Sequence, residues 1–154
     1  MKHAWTVLCQ KSTIDKDTNT MSLVDVFEEL TFNKEVPDKK VTGVPLSFEL
    51  VSLWYDNLYE KESSGTLLVE VYDEQNKKLK EFTHEFVIPK QFKRMRTRVR
   101  VNGLPFSGLG DYTIRISYKH GTEKEYTEVT ELPLELRAEK SVKEVLDQVG
   151  KRVS

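Results

Sequence analysis

The sequence predicts an all-β protein, an antiparallel β-sandwich of about eight strands with one amphipathic helix at its C-terminal end. Three observations predict it. Short runs rich in Val, Ile, Leu, Phe and Tyr alternate with polar residues from Ala4 to Leu136, the period-two pattern of half-buried strands. Turn chemistry separates the runs: Asp73 and Asn76 in YDEQNKKL tolerate left-handed backbone, and Gly121 in YKHGTEKEY takes positive φ freely. After Ala138 the period changes, and Val142, Val145, Leu146, Val149 and Val153 fall on one helical stripe.

The runs justify themselves in chain order. HAWTVLC, a polar QKSTIDKDTNT and then MSLVDVFEELTF read as a hairpin with a long loop. VPLSFELVSLWYD is the third strand. It sets Leu46, Phe48, Leu50 and Trp54 on one face, yet Val51, Leu53 and Tyr55 make the other face apolar too. A strand apolar on both sides is covered on both. GTLLVEVYD and KLKEFTHEFVIP form a hairpin through the Asp73 turn, and MRTRVRVNGLPF, DYTIRISYK and EYTEVTELPLEL complete the sandwich. The helix opens on a capping box, Ser141 with Glu144, in which each side chain satisfies a free amide. So short a helix needs a surface to lie on. The expected organisation is a sandwich domain over residues 1–138 and a helix over 139–154, packed on the sandwich or on a second subunit. Val51, Leu53, Tyr55, Val142, Val145, Leu146 and Val149 are the candidate interface.

A chain of 154 residues, 38% hydrophobic and 32% charged, fits one globular domain. No run approaches the ~20 apolar residues of a membrane-spanning helix. The opening MKHAWTVLCQKSTIDKD holds too short an apolar run for a signal peptide. With Cys9 as the single cysteine, no intrachain disulfide can form. The expectation is a cytoplasmic protein without a membrane partner. The formal charge of −1 conceals segregation, for Lys90 to Lys119 contains eight Lys or Arg against Asp111 alone.

Motifs for chemistry are sparse. DKDTN at Asp15–Asn19 imitates a calcium loop, but Thr20 stands where glycine is needed and Val26 where the bidentate Glu should be. His3, His84 and His120 are isolated in sequence, and Cys9 ends an apolar run as a small hydrophobe does. No phosphate loop, dinucleotide fingerprint, nucleophile elbow or zinc motif is present in the sequence. No catalytic residue, metal site or cofactor is therefore assigned.

FKRMRTRVRV carries the strongest local charge pattern. Arg94, Arg96, Arg98 and Arg100 share one face of a strand, with Met95, Thr97, Val99 and Val101 facing inward. Arg115 and Lys119 extend this candidate polyanion-binding patch if the next strand pairs with it. Glu125, Glu128, Glu131 and Glu135 follow on the strand after that. Opposite charges across a sheet are mutually stabilising, so the favoured reading is a solvated face neutralised by these glutamates.

In LPFSGLGDYTIRISY, Gly108 and Gly110 precede Tyr112, an entry to a late strand that is similar to the tyrosine corner of immunoglobulin-like sandwiches, the type expected here; without a cysteine pair it is a cue to a sandwich alone. Together with AWTVLCQKSTIDKDTNTMSLVDVFEEL, LLVEVYDEQNKKL and ELPLEL, this phrase resembles a small bacterial family of β-sandwich proteins of unknown function, over about residues 4–136. Asp25 stands where that family's pattern carries glycine. The resemblance implies a single sandwich without catalytic residues. The function expected is a non-enzymatic protein-interaction module whose partner is another protein or a second copy. Polyanion or nucleic-acid binding through the arginine face is the alternative.

Overall fold

Residues 1–32, 47–56, 59–103 and 108–139 are described by a computed structural model. They form nine strands: β1 (Lys2–Ile14), β2 (Met21–Val26), β3 (Glu29–Phe32), β4 (Ser47–Tyr55), β5 (Ser63–Tyr72), β6 (Lys78–Ile88), β7 (Arg94–Asn102), β8 (Gly110–His120) and β9 (Thr127–Ala138). Two sheets result, ordered β2-β1-β4-β7 and β3-β9-β8-β5-β6. All pairings are antiparallel except β3 with β9. The predicted all-β sandwich is present, with its inner faces closed on one core. The helix stripe, including Val142, Val145, Leu146 and Val149, lies outside the described residues. Among the described residues no helix is long and apolar enough to cross a membrane.

The described residues hold nine strands where the sequence predicts about eight, the extra one coming from a single run that divides. MSLVDVFEELTF reads as one alternating run, but the chain leaves the first sheet after Val26 and enters the second at Glu29. Two main-chain hydrogen bonds fix the crossing: the Phe27 N–H donates to the Leu8 carbonyl at 3.0 Å, and the Glu135 N–H to the Glu28 carbonyl at 2.8 Å. Phe27 packs edge-on against Phe48, with ring centroids 5.8 Å apart. Alternation reports which side chains are buried, not which sheet receives them. Asp25, just before the crossing, has φ of 50°, a conformation glycine adopts without steric cost and other residues disfavour. Asp25→Gly is therefore expected to raise stability by about 0.5–1 kcal/mol, measured as a higher urea midpoint at unchanged slope.

The core follows from the alternation. Phe48, Leu50, Trp54 and Val99 of the first sheet meet Leu67, Val69, Ile114 and Ile116 of the second, all almost fully buried. Each such side chain contributes about 1.5–3 kcal/mol through burial. The indole N–H of Trp54 donates to Thr97 Oγ1 at 3.0 Å, so the largest core side chain leaves no polar atom unpaired. Beside it the Thr6 and Ser52 hydroxyls are hydrogen-bonded at 2.7 Å. Trp54 lies 5.4 Å from Tyr118 and 6.5 Å from Phe86, rings contributed by the opposite sheet. Gly65 makes this arrangement possible, since a Cβ there would stand 2.6 Å from Phe86 Cζ.

The turns read from the sequence are present. Asp73 Oδ1 accepts from the main-chain N–H groups of Gln75 and Lys77, and Asn76 takes φ of 59°. Gly121 takes φ of 47° where its N–H donates to the Ser64 carbonyl. The Tyr112 hydroxyl donates to the Gly108 carbonyl at 2.6 Å, tying down the connection before β8.

Candidate functional site

β7 is an edge strand, hydrogen-bonded only to β4 among the described residues. Its alternation is as predicted: Thr97, Val99 and Val101 are buried, while Arg94, Arg98 and Arg100 are exposed and Arg96 is half-buried. Register aligns Arg94 with Tyr55, Arg96 with Leu53, Arg98 with Val51 and Arg100 with Glu49. On β1, Trp5 is aligned with Leu53, Val7 with Val51 and Cys9 with Glu49. Directly paired residues share a face. The outer face thus has an apolar centre, Trp5, Val7, Leu53 and Tyr55, bordered by the arginine row.

Arg115 and Lys119 do not extend that row. They lie on β8, in the other sheet, so the condition for their joining the candidate patch, that the two strands pair, is not met. β7 ends at Asn102 in the first sheet, and β8 begins at Gly110 in the second. The glutamates expected to neutralise the row are displaced with them. Glu131 and Glu128 form ion pairs with Arg115 at 2.7 and 3.2 Å, and Glu135 pairs with Arg137. Arg115 also lies over the Tyr72 ring at 4.6 Å, and Lys119 over that of Tyr126 at 4.8 Å. The favoured reading of the row as balanced by these residues is overturned.

One carboxylate does serve the row, and sequence reasoning missed it. Glu49 is buried on the outer face at its Arg100 end. One of its oxygens accepts from the Ser12 main-chain N–H at 2.8 Å and from the Ser12 hydroxyl; the other accepts from Arg100 at 3.2 Å. Burial pushes the Glu49 carboxyl up, but the Ser12 hydroxyl, Arg100, the Ser12 N–H and the charge of Arg98 together outweigh it and hold the group below its ordinary value. The signal available in sequence was an acid inside an apolar run, between Phe48 and Leu50.

Two further arginines engage the β1–β2 hairpin. Arg98 donates to the Ser12 carbonyl at 3.3 Å and Arg96 to Asn19 Oδ1 at 3.2 Å. Since Cys9 pairs with Glu49, these bonds require the hairpin beyond Cys9 to bend back over the outer face of its own sheet. Val51 is accordingly fully buried there, Leu53 is partly covered, and Tyr55 remains 37% exposed. Of the expected interface, Leu53 and Tyr55 are thus accessible and Val51 is not. Asp15, in the calcium-like loop, spends its carboxylate on the loop itself, accepting from the Asp17 and Thr18 N–H groups at 2.9 Å each.

The row ends in two hollows. One of about 800 Å³ is lined by Ala4, Leu53, Tyr55, Asp56, Lys93 and Arg94. The other, about 490 Å³, brings Lys11, Glu49, Arg100 and Asn102 together. Among the described residues neither Arg94, Arg96 nor Arg98 has a carboxylate partner. On the second sheet, Ser63 Oγ and His120 Nε2 lie 2.8 Å apart. There Glu123 accepts from the His120 main-chain N–H, whereas an activated nucleophile needs its base oriented through the other ring nitrogen. Comparison with family models gives no match, and no curated protein matches the sequence.

Proposed function

We propose that the chain is a non-enzymatic interaction module that binds an acidic protein through the outer face of the four-stranded sheet. The observation that carries this reading is the row from Arg94 to Arg98, which lacks carboxylate partners among the described residues and borders the accessible Leu53 and Tyr55. Arginine and aromatic side chains around an apolar patch are the composition of interface hot spots. The sandwich is immunoglobulin-like in this proposal. Its support is the pairing of β4 with β7 in one sheet, the order β9-β8-β5-β6 in the other, and the Tyr112 corner. Kinship with the small bacterial family rests on the same turns, and on the positive φ of Asp25 where that pattern has glycine. A cytoplasmic location belongs to the proposal as well, supported by the single, buried, unpaired Cys9.

A second reading, single-stranded nucleic acid, is favoured by one observation: Trp5 and Tyr55 lie on the arginine face, where bases could stack. One titration separates the two. Polyglutamate and an oligodeoxythymidylate are offered to the protein at about 50 mM salt, where exposed charges are least screened. The proposal expects polyglutamate to bind, with affinity that falls as salt rises and weakens in Arg94→Ser/Arg96→Ser. Binding of the oligonucleotide alone, lost in Tyr55→Ala, moves the assignment to nucleic acid. No binding of either removes both readings.

A further inference from the structure

We infer that the acidic partner is held as an added β-strand along the open edge of β7; this rests on the acidic-protein reading above and specifies how it is met. The geometry begins with one main-chain bond. The Asp56 N–H donates to the Lys93 carbonyl at 3.3 Å, and the β4–β7 register continues from there without a shift. In a regular antiparallel strand the N–H and C=O of one residue point to the same side, and successive residues alternate sides. The main-chain groups of Met95, Thr97, Val99 and Val101 therefore point to β4. Those of Arg94, Arg96, Arg98 and Arg100 point to the open edge. Among the described residues, Arg94, Arg96 and Arg98, the three without a carboxylate partner, are thus also residues whose main-chain donors and acceptors no strand takes up.

A strand laid antiparallel against this edge would exchange hydrogen bonds with the four arginines and set its own alternate side chains directly opposite them, on the outer face. Acidic residues at those positions complement the row. A second copy of the chain is disfavoured as occupant, because β7 against β7 in the same manner places arginine beside arginine, a repulsive arrangement. Nucleic acid would use the guanidinium groups and leave the main-chain edge unpaired.

The test uses the full chain and a nine-residue peptide alternating Glu with Thr, matched to the nine residues of β7. Two relatives of equal charge accompany it, one N-methylated at every Glu and one at every Thr. Strand addition opposite the arginines needs the Glu N–H groups, so methylation at Glu is expected to weaken binding at least about a hundredfold while methylation at Thr leaves it nearly unchanged. Arg94→Ser/Arg96→Ser is expected to weaken the parent peptide about two- to thirtyfold. Equal binding of all three peptides overturns strand addition and leaves the acidic-protein reading standing. Binding of polyglutamate but none of the peptides has the same consequence. Failure of every acidic probe overturns both.

Discussion

Glu49→Ala should be among the most destabilising single changes in the molecule outside the apolar core, at about 2–4 kcal/mol. The carboxylate is the acceptor for both donors of Ser12, a residue that is itself buried. Without it, two donors stay in place with nothing to receive them, and Arg100 loses its carboxylate partner. A loss of this size lowers the melting temperature by about 10 °C for a domain of this length. Glu49→Gln retains an acceptor and should cost less. The two variants also differ from the wild type in pH response. Since the folded-state pKa is held below its unfolded value, Glu49 contributes stability above the ordinary carboxylate range, and that contribution disappears as the pH falls through the lower, folded value. Urea midpoints measured from neutral pH downward should therefore fall more steeply for the wild type than for Glu49→Gln. Parallel curves would show that the Glu49 charge contributes nothing to folding.

Trp54→Ala should cost about 3–5 kcal/mol. The ring is 1% exposed and touches aromatic side chains of both layers. Thr97→Val isolates the polar part of that loss, because it keeps the shape of the side chain and removes the acceptor for the indole N–H. It is expected to cost about 1–3 kcal/mol. A Thr97→Val protein as stable as the wild type would mean that the indole finds another acceptor. Thermal melts of the two single variants and the double variant, compared as a cycle, give the coupling between the residues.

The particular residues show where reading the sequence reached and where it stopped. The outward arginines and inward Thr97, Val99 and Val101 were legible, because strand alternation is local. So were the Asp73 and Gly121 turns and the Tyr112 corner, each fixed by residues within a few positions. The partners of the row were not legible. Whether Glu131 faces Arg100 or Arg115 depends on which layer β8 joins, and nothing in its own alternation distinguishes the layers. The split at Phe27 escaped for the same reason. The bent hairpin escaped because a bond such as Arg96 to Asn19 joins residues far apart in sequence through side chains that look like ordinary surface residues.

The parallel pairing of β3 with β9 also has a kinetic consequence. Glu29 to Phe32 are aligned with Glu135 to Ala138, so this pair of strands cannot form until almost the whole described chain has been made. During synthesis β3 waits with an unpaired edge, whereas the β5–β6 hairpin can close as soon as both strands have emerged. Contacts between segments this far apart in sequence must close a long loop before they form, and such contacts slow folding. Final closure of the five-stranded sheet should therefore be a late event, and a substitution that weakens the β3–β9 pair should speed unfolding far more than it slows folding.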